Sequence, residues 1–136
     1  MAEKLYLDIV TPHGKLFSGE VDEVAASGAD GDFGVLAGHA PMMAILRIGA
    51  FTVKTGEKTD YYFVGSGYAE VLNDKMIVLA DSAERAEDID VERAMEKKKR
   101  LELLLAKKEN VDFTRAQASL ERAIARIRIA KEYAGK

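Results

Sequence analysis

The stretch MIVLADSAERAEDIDVERAM, residues 76–95, holds the change of pattern on which the fold turns. Met76–Ala80 reads as a strand. After Ala80 the apolar period lengthens from 2 to 3.6. Asp88 or Asp90 is placed to cap a helix N-terminus, and Val91, Ala94, Met95, Leu101 and Leu105 follow at helical spacing. Strands are therefore expected upstream of this stretch and helices downstream.

Upstream, Leu5, Leu7 and Ile9 alternate with Lys4, Tyr6 and Asp8, the period of a half-buried strand. Pro12-His13-Gly14-Lys15 supplies a turn, and a second strand is predicted through Leu16, Phe17, Val21 and Val24. Glycines 28, 31 and 34 punctuate the next segment. Further strands are predicted over Met42–Leu46, Ile48–Lys54, Thr59–Val64, Tyr68–Leu72 and Met76–Ala80. Thr55-Gly56-Glu57-Lys58 and Asn73-Asp74 connect them as hairpins. Many short strands with regular turns indicate a β-sandwich or barrel.

Downstream, Asn110 and Asp112 interrupt the first helix and offer a second cap. Phe113, Ala116, Leu120, Ala123, Ile124 and Ile127 then form one apolar stripe. Two helices joined by so short a loop lie antiparallel if both stripes are buried. Alanines 94, 116, 123 and 130 make this seam thin. At roughly 25 cal/mol per Å² it contributes only a few kcal/mol beyond the cost of ordering the chain. A hairpin so held can exchange with an opened form. Arg115, Arg122 and Arg126 fall within roughly 40° of one another, about opposite the stripe. Either the row serves solubility, or it presents guanidinium groups to phosphates or an acidic partner. Lys97-Lys98-Lys99-Arg100 reads as a solvated face.

Charge changes sign at the same place as pattern. Residues 1–86 carry seven basic and thirteen acidic side chains, residues 87–136 thirteen and ten, which together return the net −3. Two domains are expected, 1–86 and 87–136. The overall balance offers no nucleic-acid footprint. No apolar run approaches the ~18 residues of a membrane-spanning helix. Met1-Ala2-Glu3-Lys4 leads straight into the first strand, so no secretory or transit segment is expected. Without cysteine there are no disulfides, thiolate metal sites or thiol nucleophiles, and two histidines exclude a histidine-rich metal cluster.

Catalytic patterns are equally scarce. His13 and His39 lack a nucleophile elbow, and no Gly-Lys-Ser/Thr follows Gly28–Gly34 to make a phosphate-binding loop. His39 with Asp30 or Asp32 is the one hydrolase-like set to weigh. A free-standing adaptor that docks partners through its hairpin is another alternative.

The chain resembles the epsilon subunits of bacterial and chloroplast rotary F-type ATP synthases over essentially its whole length. The resemblance is carried by Leu7-Asp8-Ile9-Val10-Thr11-Pro12, by Gly31-Asp32-Phe33-Gly34-Val35-Leu36-Ala37-Gly38-His39-Ala40-Pro41, and by Ser66-Gly67-Tyr68-Ala69-Glu70-Val71. Ala83-Glu84-Arg85-Ala86-Glu87-Asp88-Ile89-Asp90 and Arg93-Ala94 complete it. Ala37 stands where the family commonly has proline.

What the resemblance implies is a mixed fold, β then α: an N-terminal β-sandwich followed by a C-terminal antiparallel two-helix hairpin. It implies a non-catalytic central-stalk subunit with no required cofactor and no metal. The sandwich would bind the gamma subunit and the c-subunit ring. The helices would extend toward the catalytic beta subunits and inhibit ATP hydrolysis, with Arg115, Arg122 and Arg126 meeting acidic beta segments. The expected location is the cytoplasmic face of the bacterial plasma membrane, reached through the complex alone. Some bacterial members bind ATP as a regulatory ligand through an Ile/Leu-Asp-x-x-Arg-Ala motif. Here it stands as Ile89-Asp90-Val91-Glu92-Arg93-Ala94, with Glu84, Arg122 and Arg126 as further contacts. Read on their own, Asp90 serves as a helix cap and Arg93 as an ion-pair partner.

Overall fold

The computed structural model describes residues 4–107 and 112–133. Strands β1 (Leu5–Thr11), β2 (Gly14–Val21), β3 (Glu23–Gly28), β4 (Gly31–Leu36), β5 (Met42–Thr55), β6 (Lys58–Leu72), β7 (Lys75–Ala80) and β8 (Ala83–Arg85) come first. A single 3₁₀ turn, Ala86–Asp88, leads to α1 (Val91–Lys107) and α2 (Phe113–Tyr133). The sheet runs β2-β1-β7-β6-β5-β3-β4, with β8 added to β6. β1 and β7 pair in parallel; the other pairings are antiparallel.

The alternation in β1 does what its period demands: Leu5, Leu7 and Ile9 are fully buried. They join Val21, Val24, Val35, Phe51, Val53, Tyr62, Val71, Met76 and Val78 in the sandwich core. Asn73 and Asp74 take φ of 49° and 60°, the left-handed pair that a tight β6–β7 hairpin requires.

Several expected boundaries move. The second strand divides into β2 and β3 around Asp22, whose carboxylate accepts the Gly56 N–H and so pins the corner. The glycine-punctuated segment is itself a hairpin, with Gly28 paired to Gly31. Met42–Leu46 and Ile48–Lys54 are one strand, β5, and Thr59–Val64 and Tyr68–Leu72 are one strand, β6. Gly65-Ser66-Gly67 looks like a turn in sequence but distorts a continuous strand. Ser66 has φ 89°, and a Cβ on Gly67 would lie 2.1 Å from the Leu79 carbonyl oxygen.

β6 is buried on both faces at Tyr62–Gly65. Tyr62 and Val64 point into the sandwich core. Phe63 points the other way, into a second cluster with Ala86, Ile89, Ala125, Ile129 and Ala130. This cluster seats α2 on the outside of the sheet, and the rings of Tyr61 and Tyr133 stack at 4.4 Å at its edge.

Both helices begin at aspartate caps. Asp90 Oδ1 accepts the Arg93 N–H at 3.0 Å, and Asp112 Oδ1 accepts the Arg115 N–H at 3.1 Å. Asn110, the other candidate for the second cap, lies outside the described residues. On α1 Ala94 and Leu101 are buried, and on α2 Ala116 and Ala123 are buried outside the sheet cluster that holds Ala130. Met95, Phe113 and Ile124 from the expected stripes are 41–50% exposed.

The arginine row does not stand opposite the buried face. Ala116, Ala123 and Ala130 mark one edge of the buried arc of α2, and Ala125 and Ile129 mark the other. At 100° per residue Arg115, Arg122 and Arg126 run down the middle of that arc. α2 has two buried flanks, one against α1 and one against the sheet, so Arg122 and Arg126 face inward between them. Arg122 and Arg126 are half-buried, and Arg115, at the free end, is exposed.

Candidate functional site

Arg126 of this row meets the first turn of α1 and the short strand β8 in a cleft of about 230 Å³. Its walls are Glu84, Asp90, Arg93, Ala94, Lys97, Ala123 and Arg126. Pairing of β8 with β6 sets Glu84 directly beside Phe63. Those two side chains hold one guanidinium: Arg126 Nε donates to Glu84 Oε1 at 2.7 Å, and the Arg126 group lies 4.4 Å from the Phe63 ring centre. The ion pair keeps 23% and 32% of its side-chain surfaces exposed, so solvent screens it only in part.

The other motif residues divide by role. Asp90 caps α1 at the rim, and Ala94 is small enough to let α2 approach. Arg93 leads α1's exposed side into the cleft. Ile89 is buried in the cluster beneath Phe63 and holds the wall from behind. Arg122 stays outside the lining. Its Nη2 donates to Ser119 Oγ at 3.0 Å, and its stem crosses the bare backbone of Gly65, where a Cβ would sit 3.2 Å from Arg122 Cδ. Arg115 stands apart, at the far end of α2.

Two residues of the site escaped the sequence reading. Phe63 lies unremarked within the expected strand Thr59–Val64, because the period-2 pattern does not say that the outer face of β6 is covered. Lys97 was grouped with a solvated run, yet it lies four residues after Arg93 and so on the same face. Partial burial holds its ammonium below the usual lysine range, and Arg126, Arg122, Arg100 and Arg93 lower it further.

The cleft therefore gathers more positive charge than its two carboxylates offset. Glu84 is committed to Arg126 and Asp90 to the helix cap. Such a site suits an anion with several oxygens in a row. Its volume is below the ~300–1,000 Å³ that encloses a whole small-molecule ligand, so it takes a charged portion and leaves the remainder on the surface. His39 gathers no catalytic set: its Nδ1 bonds the Ala40 carbonyl at 2.6 Å, while Asp32 pairs with Arg47.

A sandwich carrying a clasped helical hairpin, with a cationic cleft at their junction, defines a two-part class of protein, β then α. Residues 4–86 match the beta-sandwich domain of the ATP synthase delta/epsilon chain, and residues 87–131 match its long alpha-helix domain. The chain belongs to the ATP synthase epsilon chain family. The epsilon chain of Nitratidesulfovibrio vulgaris is 51% identical over 130 residues, 95% of this chain and 97% of that one. That of Geobacter sulfurreducens is 46% identical, with both chains covered completely. Among solved structures, a chain of the Euglena gracilis mitochondrial ATP synthase (OSCP, F1 and c-ring) has a TM-score of 0.74 at 25% identity. It covers 90% of this chain and 78% of its own length.

Proposed function

We propose that this epsilon subunit is a non-catalytic part of the central stalk of a proton-translocating ATP synthase. It couples rotation to ATP synthesis and restrains ATP hydrolysis through its C-terminal helices. Family membership supports the stalk role, and the sandwich surface supports docking. Ile45, Tyr68 and Leu79 stand side by side across β5, β6 and β7, exposed by 70%, 46% and 37%. Beside them Met43 borders a groove of about 580 Å³. An apolar rank of this kind fits the gamma subunit and the c-subunit ring, at the cytoplasmic face of the bacterial plasma membrane.

The observation that carries the regulatory reading is the clasp of Arg126 between Glu84 and Phe63. It joins the domains at one charged point amid small side chains. Opening it frees Arg122 and Arg126 to join Arg115 on a helix face that meets acidic segments of the beta subunits. ATP acts in the opposite direction. Arg93 and Arg126 come from different helices, so a polyphosphate held by both favours the closed hairpin. Glu84, Asp90 and Ala94 shape the same site, Ile89 backs it, and Arg122 adds charge behind it.

The test is capture by gamma, followed by ATP-hydrolysis assays of the complex with the full chain, a 1–86 truncation and an Arg115/Arg122/Arg126→Ala triple variant. Relief of inhibition by both changes, with gamma binding kept, is the expected result. Hydrolysis unchanged by the triple variant removes the arginines from the inhibitory contact. Calorimetric titration of ATP into the isolated chain, with Arg93→Ala and Arg126→Ala, tests the ligand.

A further inference from the structure

Lys97 lines the cleft but belongs neither to the Ile-Asp-x-x-Arg-Ala signature nor to its further contacts Glu84, Arg122 and Arg126. It sits one turn beyond Arg93 on α1, lines the cleft with Arg93 and Arg126, and makes no ion pair among the described residues. Its neighbour Lys98 differs: it pairs with Glu102 along the helix and lines the outer groove with Met95, Ile124 and Ile127. One residue of the basic run therefore belongs to the cleft and the next to the outside.

We propose that Lys97 is a direct contact for the phosphate chain in this cleft. This rests on reading the cleft as a polyphosphate site. The groups that face Lys97 are Arg93 and Arg100 on α1, Arg122 and Arg126 on α2, Glu84 on β8 and Asp90 at the helix cap. Burial and the four guanidinium groups lower its proton affinity in the free protein. A polyphosphate reverses the local field, so the ammonium form is favoured in the complex. By linkage, affinity declines as pH rises past the free-state value toward the bound-state one. A site made of arginines alone has no such decline there, because guanidinium does not lose its proton. The nucleotide-held hairpin thereby becomes easier to open at alkaline pH.

The experiment is calorimetric titration of ATP, and separately of inorganic tripolyphosphate, into the full chain. It is run at neutral pH and just below the ordinary lysine range, in pairs of buffers with different ionisation enthalpies. Wild type is compared with Lys97→Ala, Lys97→Arg, Lys98→Ala and Arg93→Ala. Lys97→Ala should weaken both anions about tenfold, as expected for one charge-assisted contact, and Lys98→Ala should bind as wild type. Lys97→Arg should bind as wild type at neutral pH, hold that affinity at the higher pH, and abolish the proton uptake. If Lys97→Ala binds as Lys98→Ala does while Arg93→Ala binds nothing, the Lys97 assignment is wrong and the polyphosphate reading survives. A parallel fall of wild type and Lys97→Arg with pH overturns the proton coupling. Absence of binding by either anion to wild type overturns both readings.

Discussion

The sandwich and the hairpin bury their surfaces with different side chains. Phe51, Tyr62, Leu5, Leu7, Ile9 and Met76 are fully inside the sandwich, surrounded by valines from six strands. Among the described residues the hairpin offers one of that kind, Ile129. The rest of its buried set is Ala94, Ala116, Ala123, Ala125 and Ala130, with Leu101 near the rim. Each missing methylene forgoes about 0.8 kcal/mol of transfer free energy. The sandwich is thus held by area and the hairpin by a few specific contacts: a clasped arginine, a stacked tyrosine pair and two caps. One region rests on a broad core and the other on few contacts, so the loss of a single contact is expected to loosen the second more than the first.

The largest effect that can test this contrast comes from the sandwich. Phe51→Ala removes a fully buried ring that packs edge-on against Tyr62 at 6.5 Å. A loss of about 3–5 kcal/mol in denaturant unfolding is expected, with the hairpin lost along with the sheet. A loss below about 1 kcal/mol would show that the core is slack there, and the contrast would fail.

Ile129→Ala is the matching change in the hairpin, and it should act differently. The substitution costs up to about 2–5 kcal/mol where the structure must stay intact. Here the helix can leave instead, so the measured loss cannot exceed the free energy of docking. Hydrogen exchange in α2 should accelerate while β1, β6 and β7 keep their protection. Uniform acceleration would mean that the two regions unfold as one.

How much of this contrast was readable beforehand depends on periodicity. The β1 alternation, the Asn73-Asp74 hairpin and the Asp90 and Asp112 caps follow from short-range rules and are found as expected. β5 and β6 are each expected as two strands, and in β6 the expected break falls on Gly65-Ser66-Gly67, because glycine normally punctuates. At Gly65 and Gly67 it instead relieves close approaches, by Ser82 and Arg122 in one case and by the Leu79 carbonyl in the other. β8 is three residues long and carries no period. The inward arginine row was hidden for a related reason. A single apolar stripe describes a helix with one neighbour, and α2 has two. The same blindness concealed Lys97, since a run of four cations says nothing of which one the fold turns inward.

Glu84→Gln sharpens the contrast at its charged point. It keeps the shape and removes the carboxylate from Arg126, whose place over Phe63 remains. Partial exposure of the pair reduces the cost to about 1–2 kcal/mol of docking, below that of a fully buried pair. The change should appear as faster exchange in α2 and a weaker effect at high salt. An unaltered exchange rate would mean that the ring and the alanines suffice.

The smallest effects come from the caps, and they separate packing from ligand chemistry. Asp90 and Asp112 make the same bond, to the N–H three residues on, at 3.0 and 3.1 Å. Replacing either by alanine should cost about 1 kcal/mol or less of helix stability. Serine in either position keeps an oxygen for the cap and removes the charge. The two positions differ in what surrounds them, because Asp90 lines the cleft beside Arg93 and Asp112 does not. Asp112→Ala and Asp112→Ser should therefore leave ATP binding as it is. If Asp90 only caps, Asp90→Ser restores both helix stability and ATP affinity. If its carboxylate orients Arg93 or receives the adenine amino group, Asp90→Ser restores the helix by circular dichroism but not the affinity by calorimetry. We expect the second outcome. A helix cap needs only an oxygen, whereas orienting a guanidinium or accepting from an exocyclic amine gains from the full charge.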